Sequence, residues 1–238
     1  MYYPPYFVGK WRVTHLITSS EDNDFKGVPL PLKVVSEMRF IPYDAGKDFE
    51  DFGSANSSPA IADRAFNERS YNIALSSVFD QLESAGLLDA KALPSIQTLD
   101  WTPANPNVLS ISYADGSSKE LKVTKRSSDI DANGDGVFSS EFKRVTAVPS
   151  ASGLVAGGIP TSYKSRTLTK WKRGSGEAST DVNLIEGIEL AYVEQGTLGD
   201  TSNDPASSGA FSSLYGSDSK DLPNWRITKT KLLMERIQ

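Results

Sequence analysis

The sequence predicts an all-β protein, an antiparallel up-and-down barrel of about eight strands with one amphipathic helix. Three observations lead to this fold. Short segments of alternating apolar and polar residues recur along the 238-residue chain, turn-forming residues separate them, and one stretch has helical spacing instead. A twisted sheet of about eight strands tends to close on itself, because closure removes its unpaired edges.

The first two strands are predicted at residues 7–18 and 32–42. In the first, Trp11, Val13 and His15 alternate with polar neighbours and therefore share one face. Six further strands follow the same rule. They include a hairpin with Asp-Gly in its turn, and they are predicted at residues 107–113, 120–126, 138–148, 163–172, 184–194 and 225–237.

One helix interrupts the strands at residues 70–85. Apolar residues recur there at helical spacing, and Gly86 lies where a helix C-cap is expected. Its apolar face must be buried, so we expect the helix to pack against the barrel or to plug it. Residues 196–221 are rich in Gly, Ser and Asp and are predicted to form a flexible loop. The whole chain, 1–238, is interpreted as a single β-barrel domain.

Composition excludes several classes of protein. The net charge is −5 without a basic stripe, which argues against a nucleic-acid partner. No apolar stretch approaches the roughly 20 residues of a transmembrane helix. The chain has no cysteine, so disulfides, zinc–thiolate sites and a cysteine nucleophile are excluded, and it has one histidine. No targeting segment is visible at the start.

The stretch Gly9-Lys10-Trp11 resembles the short Gly-x-Trp signature of lipocalin-like (calycin) barrels. In that superfamily the Trp closes the base of the barrel, and an Arg from a late strand packs on it. The resemblance implies that Arg236 or Arg226 makes this cation–π contact here. It also implies a lipocalin-like topology for the predicted barrel.

Longer motifs carry a second resemblance. The stretches Ala-Ile-Ala-Asp-Arg-Ala-Phe-Asn at 60–67, Thr-Pro-Ala-Asn-Pro-Asn at 102–107 and Phe-Ser-Ser-Glu-Phe at 138–142 occur in this order. Together with Gly-x-Trp they are similar to an uncharacterised family of small β-rich proteins from cyanobacteria and plastids. That resemblance implies the chloroplast, with association with the thylakoid as one location within it. It implies no reaction and no catalytic residues.

The predicted barrel suggests a binding function. An eight-stranded barrel can hold one small ligand or be filled by its own side chains. If it is hollow, six residues would line an apolar cavity for a lipid or pigment: Trp11, Val13, His15, Tyr113, Trp171 and Tyr192. His15 could equally be a hydrogen-bonded core residue.

A polar motif accompanies the family-like stretches, and it consists of Asp63, Arg64, Asn67, Asn105 and Asn107. Asp-Arg pairs fix loops through charge-assisted hydrogen bonds, and asparagines satisfy local backbone donors. A structural role is therefore one interpretation. The other is a clamp for a carboxylate or head group, centred on the guanidinium group.

Calcium is the cofactor that the stretch DIDANGDGVFSSEF could hold, through Asp129, Asp131, Asn133 and Asp135. An EF-hand loop needs a bidentate acid at its twelfth position, and Phe142 stands there with the acid one residue early. The flanking segments also look like strands. The sequence therefore favours a plain hairpin turn over a metal site.

We therefore expect a non-enzymatic accessory protein that binds a small apolar molecule in a photosynthetic compartment. The alternatives are a docking or assembly subunit of a thylakoid protein complex, with a solid core, and an enzyme without a recognisable motif. The docking alternative would use a basic face formed by Lys164, Arg166, Lys170, Lys172 and Arg173, which Lys229, Lys231 and Arg236 could extend. The sequence does not predict an oligomeric state.

Overall fold

The computed structural model describes residues 2–22, 25–43, 59–89, 93–132, 134–149, 160–174, 183–194 and 225–237. Within them lie a 3-10 helix at Pro5–Phe7 and a helix, α1, at Arg64–Ser84. Ten strands complete the structure: β1 (Gly9–Ser20), β2 (Leu32–Pro42), β3 (Ala60–Ala62), β4 (Ile96–Thr102), β5 (Asn105–Tyr113), β6 (Ser118–Ile130), β7 (Gly136–Val148), β8 (Thr161–Arg173), β9 (Leu184–Glu194) and β10 (Trp225–Arg236).

All ten strands belong to one antiparallel sheet. Their order is β3-β2-β1-β10-β9-β8-β7-β6-β5-β4, so β1 lies between β2 and β10 rather than at an edge. The sheet curves into a half-barrel with an inner and an outer face. The prediction of a mostly β, antiparallel protein with one helix is therefore confirmed.

The prediction of a closed, eight-stranded barrel is wrong. Two short strands, β3 and β4, form the ends of the sheet, and they do not pair with each other within the described residues. The helix α1 stands between these ends, because it packs against β2 on one side and against β4 and β5 on the other. A helix in this position buries its apolar face and leaves the barrel open.

Most predicted elements are found close to their predicted bounds. The eight predicted strands are present, and the turn Ala114–Ser117 joins β5 to β6, with Gly116 at φ 83°. The helix begins at Arg64 rather than at residue 70, because Asp63 caps it. The predicted loop at 196–221 lies outside the described residues. No helix within the described residues is long and apolar enough to cross a membrane.

The base of the half-barrel follows the expectation from Gly-x-Trp. Trp11 is fully buried, and the guanidinium carbon of Arg236 lies 4.3 Å from its ring centroid. Arg236 also donates to the carbonyl oxygens of Val8 and Tyr6, at 2.8 and 2.7 Å. Gly9 has φ 127°, and a Cβ there would lie 2.8 Å from Arg236 Nη1. The glycine therefore lets the arginine reach its ring.

Candidate functional site

Three sequence motifs meet at the guanidinium group of Arg64, the first residue of α1. Its Nη1 atom donates to Glu141 Oε1 on β7 at 2.9 Å, and its Nη2 atom donates to Glu141 Oε2. Its Nε atom donates to the carbonyl oxygen of Pro106 on β5, also at 2.9 Å. Each of the three residues comes from a different family-like motif. The motifs therefore converge on one charge-assisted contact that fastens the helix to the inner face.

Asp63 and Asn67 attach the start of α1 to β2. Asp63 accepts from the backbone nitrogen of Phe66 at 3.0 Å and from Arg39 Nε at 2.8 Å. Asn67 pairs with the backbone of Arg39 like a neighbouring strand: its Oδ1 accepts at 2.6 Å and its Nδ2 donates at 3.3 Å. These contacts account for both side chains as anchors of the helix.

Two further cations surround Glu141. Lys143 Nζ lies 3.3 Å from Glu141 Oε1, and Arg126 Nη2 lies 3.7 Å from Glu141 Oε2. Burial alone would raise the pKa of Glu141, but the charges of Lys143, Arg64 and Arg126, together with the hydrogen bonds from Arg64, lower it to about 2. Three cations therefore share one ionised carboxylate. We call these four residues the inner charge cluster.

Arg126 brings unpaired donors to the inner charge cluster. Its Nε and Nη2 atoms are buried, and neither makes a hydrogen bond to any residue that the structure describes. Burial also lowers the pKa of this guanidinium group. A buried donor without a partner costs roughly 1–3 kcal/mol, and more when it is charged. Because both atoms are closed to solvent, an anionic group could accept from them only after a shift of the surrounding side chains, and it would then recover that energy.

A β-bulge turns Arg126 towards the interior. The pairing of β6 with β7 shifts register between Val123 and Lys125, so that Val123 lies opposite Lys143 and Arg126 lies opposite Glu141. Without this extra residue, simple alternation would place Arg126 on the outer face. Arg126 could not be assigned to the interior from the sequence for this reason, since no residue pattern marks the bulge.

A second interior carboxylate, Glu189 on β9, was also missed. Burial raises its pKa, although the charge of Lys143 and a hydrogen bond from Thr169 at 3.4 Å act in the opposite direction. Glu189 therefore holds its proton more tightly than a carboxylate in water. Its alternation with Ile185 and Gly187, both buried, was the signal that could have revealed it. Alternation from Glu141 would likewise have revealed Lys143.

Three of the residues predicted to line a cavity lie in the packed base of the half-barrel. Trp11 and Val13 are 0% exposed and Trp171 is 3% exposed, and all three belong to one hydrophobic cluster with Phe7. The indole nitrogen of Trp11 donates to the carbonyl oxygen of Phe7 at 2.7 Å. Side chains fill this end of the inner face.

The remaining three predicted lining residues lie apart from one another. His15 Nε2 is 2.9 Å from Ser36 Oγ, and burial lowers the pKa of the imidazole to about 4, so it is neutral at pH 7. Tyr113 is buried in a separate cluster with residues of β4, β5 and β6. Tyr192 lies on the outer side of β9, as the exposed Ile188 does, and its ring contacts that of Trp225. The six residues therefore do not form one lining.

The structure brings part of the polar motif together. Arg64 reaches the carbonyl oxygen of Pro106, which lies between the two predicted asparagines. Asn105 and Asn107 themselves are exposed at the start of β5, and Asn105 pairs with Thr102 across a tight turn. The motif therefore supplies both partners of one hydrogen bond: a backbone acceptor next to this turn and the Arg64 side chain from the helix.

The Asp-rich stretch forms the turn between β6 and β7. Asp131 Oδ1 accepts from the backbone nitrogen of Asp135 at 2.9 Å, and Gly134 has φ 75°. Asp129 belongs to β6, where it lies opposite Phe138, while Asn133 lies outside the described residues. Within the residues that the structure describes, no group of three or more histidine and carboxylate side chains could hold a metal ion.

The fold and the inner charge cluster define a class of protein: an antiparallel half-barrel, with a helix between the ends of its sheet and a charged interior. The chain belongs to the family described as Domain of unknown function (DUF6816), whose model matches residues 1–213. This confirms the predicted relation to an uncharacterised family, whose description assigns no reaction or ligand. Comparisons with curated proteins and with solved structures found no match.

Proposed function

We propose that this protein is a non-enzymatic binding protein whose half-barrel holds a small, largely apolar molecule, such as a lipid or pigment. The observation that carries the proposal is the pair of donors on Arg126 that have no hydrogen-bond partner among the described residues, inside a sheet where three cations share one ionised carboxylate. An anionic group on the guest would satisfy these donors. A charge-assisted hydrogen bond of this kind contributes roughly 1.5–3 kcal/mol.

The neighbouring inner surface suits the apolar part of such a guest. Next to Lys143, the inward positions of β8 and β9 carry Tyr163, Ala191 and Val193 with Ser165 and Thr167 between them, all partly exposed. Within the part of the chain that the structure describes, the helix packs on β2, β4 and β5 rather than on this surface. Apolar area of this kind contributes about 25 cal/mol per Å² when a guest removes it from water, before ordering costs.

A matched pair of ligands tests the proposal. Palmitate and hexadecanol would be titrated into the full chain, with displacement of a fluorescent fatty acid as the measurement. We expect saturable binding, stronger for palmitate. Arg126→Met should weaken palmitate binding about 10–100-fold through the lost charge-assisted bonds. Arg144→Met, an exposed position on the outer face of β7, serves as the control and should change nothing. Absence of saturable binding by either ligand would overturn the proposal.

The proposed compartment is the chloroplast, with association with the thylakoid. The support for it is the similarity of the motifs at 60–67, 102–107 and 138–142 to those of cyanobacterial and plastid proteins. The same motifs supply Arg64 and the two residues that accept hydrogen bonds from its guanidinium group, Pro106 and Glu141. Fractionation of the source cells, followed by detection with an antibody against this chain, tests the location. Recovery outside a photosynthetic compartment would contradict it.

The packed base favours a second candidate function, a docking or assembly subunit of a thylakoid membrane complex. This end of the inner face is filled by buried side chains, among them Trp11, Val13 and Trp171. A solid core of this kind suits a protein that works through its outer surface. Native mass spectrometry of the protein from its own source separates the two. An added mass matching an organic molecule supports the binding function, whereas co-isolated protein subunits without such a molecule support docking.

A further inference from the structure

The outer face of the sheet carries a row in which apolar residues and lysines alternate from strand to strand. The register places Phe138 of β7 opposite Lys170, and Lys170 opposite Ile188 of β9. The pairing continues to Lys231 of β10, then to Leu16 of β1 and Lys33 of β2. We call these six residues the outer row. At about 4.8 Å between strands, consecutive lysines of the row lie roughly 10 Å apart.

The apolar members of this face reach solvent. Ile188 is 57% exposed and Phe138 is 38% exposed, and two more exposed aliphatic residues of the outer face, Val35 and Leu184, lie nearby on β2 and β9. Single exposed apolar residues are ordinary on protein surfaces. Several of them arranged between lysines over six neighbouring strands form a mixed apolar and basic surface, and exposed apolar residues grouped in this way are typical of an interaction surface.

Additional residues extend the basic character of the face. Lys172 and Arg166 lie on the same side of β8 as Lys170, and Arg166 stacks on Phe142 with its guanidinium carbon 4.7 Å from the ring centroid. Glu186 lies opposite Lys172 and limits the basic area towards the base. The predicted basic face is thus largely present. The exceptions are Arg173, which contacts Tyr6 and Asp135, and Arg236, which packs on Trp11.

We propose that the outer row binds the surface of an anionic lipid bilayer. Its charges are lysines, which are mobile point charges suited to fluid head groups, whereas an ordered acidic protein partner is better matched by the planar fork of arginine. The aliphatic and aromatic residues between the lysines can enter the interfacial layer of the bilayer. The chain as a whole has a net charge of −5, whereas the outer row carries three lysines and no carboxylate, so the row differs in sign from the average of the chain.

Flotation of the full chain with vesicles tests this assignment. Vesicles with 30% phosphatidylglycerol in phosphatidylcholine would be compared with pure phosphatidylcholine. The test variant is Lys170→Gln/Lys231→Gln, and the charge-matched control is Lys26→Gln/Arg69→Gln, whose residues are exposed in the β1–β2 connection and on the helix. A third variant, Ile188→Ser, removes an apolar member of the row. Circular dichroism would show that each variant is folded.

We expect binding to the anionic vesicles that weakens as salt is raised from about 0.01 M to about 0.15 M. Each lysine near an anionic surface contributes about fivefold to partitioning, so the lysine double variant should bind about 25-fold more weakly than the control. Ile188→Ser should also lower partitioning. Equal binding by the two double variants, or no binding to anionic vesicles, would overturn the proposal. Binding to soluble polyglutamate would be measured for the same variants. If the lysine double variant lost only this binding and kept its vesicle binding, the face would be assigned to an acidic protein partner instead.

Discussion

Replacement of Glu141 by Gln should make the stability of the protein less dependent on pH. The folded pKa of Glu141 is about 2, against an ordinary value of 4.5, and its side chain is 8% exposed. Because the folded pKa is the lower one, its stabilising contribution is complete above about pH 5 and is lost as the pH falls towards 2. At 1.36 kcal/mol per pKa unit, the contribution is about 3 kcal/mol.

The assay is urea unfolding of the wild type and the Glu141→Gln variant at pH 7, 5, 4 and 3. At pH 7 the variant should be less stable by about 3–5 kcal/mol, because Arg64, Arg126 and Lys143 lose the carboxylate that they share. By pH 3 the difference in unfolding free energy should shrink by about 2 kcal/mol, because the unfolded wild type then binds a proton at Glu141 that the folded wild type does not, whereas the variant has no such group.

The control is Glu186→Gln, on the exposed outer face of β9. The unfolding free energy of the Glu186→Gln variant should stay close to the wild-type value from pH 7 to pH 3. A constant difference between wild type and Glu141→Gln from pH 7 to pH 3 would refute the reasoning, because it would mean that the carboxylate of Glu141 is not held ionised by its three cations.

Three further predictions concern the anchors and the core. Asp63→Ala should lower the unfolding free energy, measured by urea titration, by about 2–3 kcal/mol, because it removes the helix cap and a charge-assisted pair. The control Asp80→Ala, on the exposed side of the helix, should change the unfolding free energy by less than about 0.5 kcal/mol. Gly187→Ala should lower the unfolding free energy by about 1–3 kcal/mol and shift the tryptophan emission, because the new Cβ would lie 2.5 Å from Trp171 Cε3. An unchanged melting temperature would contradict this contact. His15 is the one histidine of the chain, and its ring proton resonances, followed by NMR, should titrate with a midpoint near pH 4, because burial disfavours the imidazolium. A midpoint near 6.5 would show instead that the ring is hydrated.

Local patterns predicted the strands well because alternation is a property of neighbouring residues. Residues 32–42 and 184–194 were placed with their observed bounds. The two strands that were missed give weak patterns: β3 has three residues, and the pairing of β4 with β5 shifts register at Ile96/Thr98 and again at Asp100/Thr102. Barrel closure was predicted wrongly because it depends on two edge strands that are distant in sequence.

The candidate site was predicted only in part, and the physical reason is again distance along the chain. One motif identified Arg64 and another contained Glu141, but nothing local says that residues 77 positions apart share a hydrogen bond. The bulge between Val123 and Lys125 hides Arg126 altogether, because it reverses the face to which alternation assigns it. Aromatic residues such as Trp11 and Tyr192 look alike in a periodicity pattern, although one lies in the base and the other on the outer face.

The central position of β10 has a consequence for how this chain folds. β10 joins β1 to β9, and its terminal arginine bonds to the carbonyl oxygen of Val8 across 228 positions of sequence. The strands on either side can form hairpins early, but they cannot unite into one sheet until β10 has been inserted between them. Such long-range pairing gives a high contact order and slow folding. A chain lacking β10 would leave β1 and β9 as two unpaired edges, which favour aggregation over a smaller folded form.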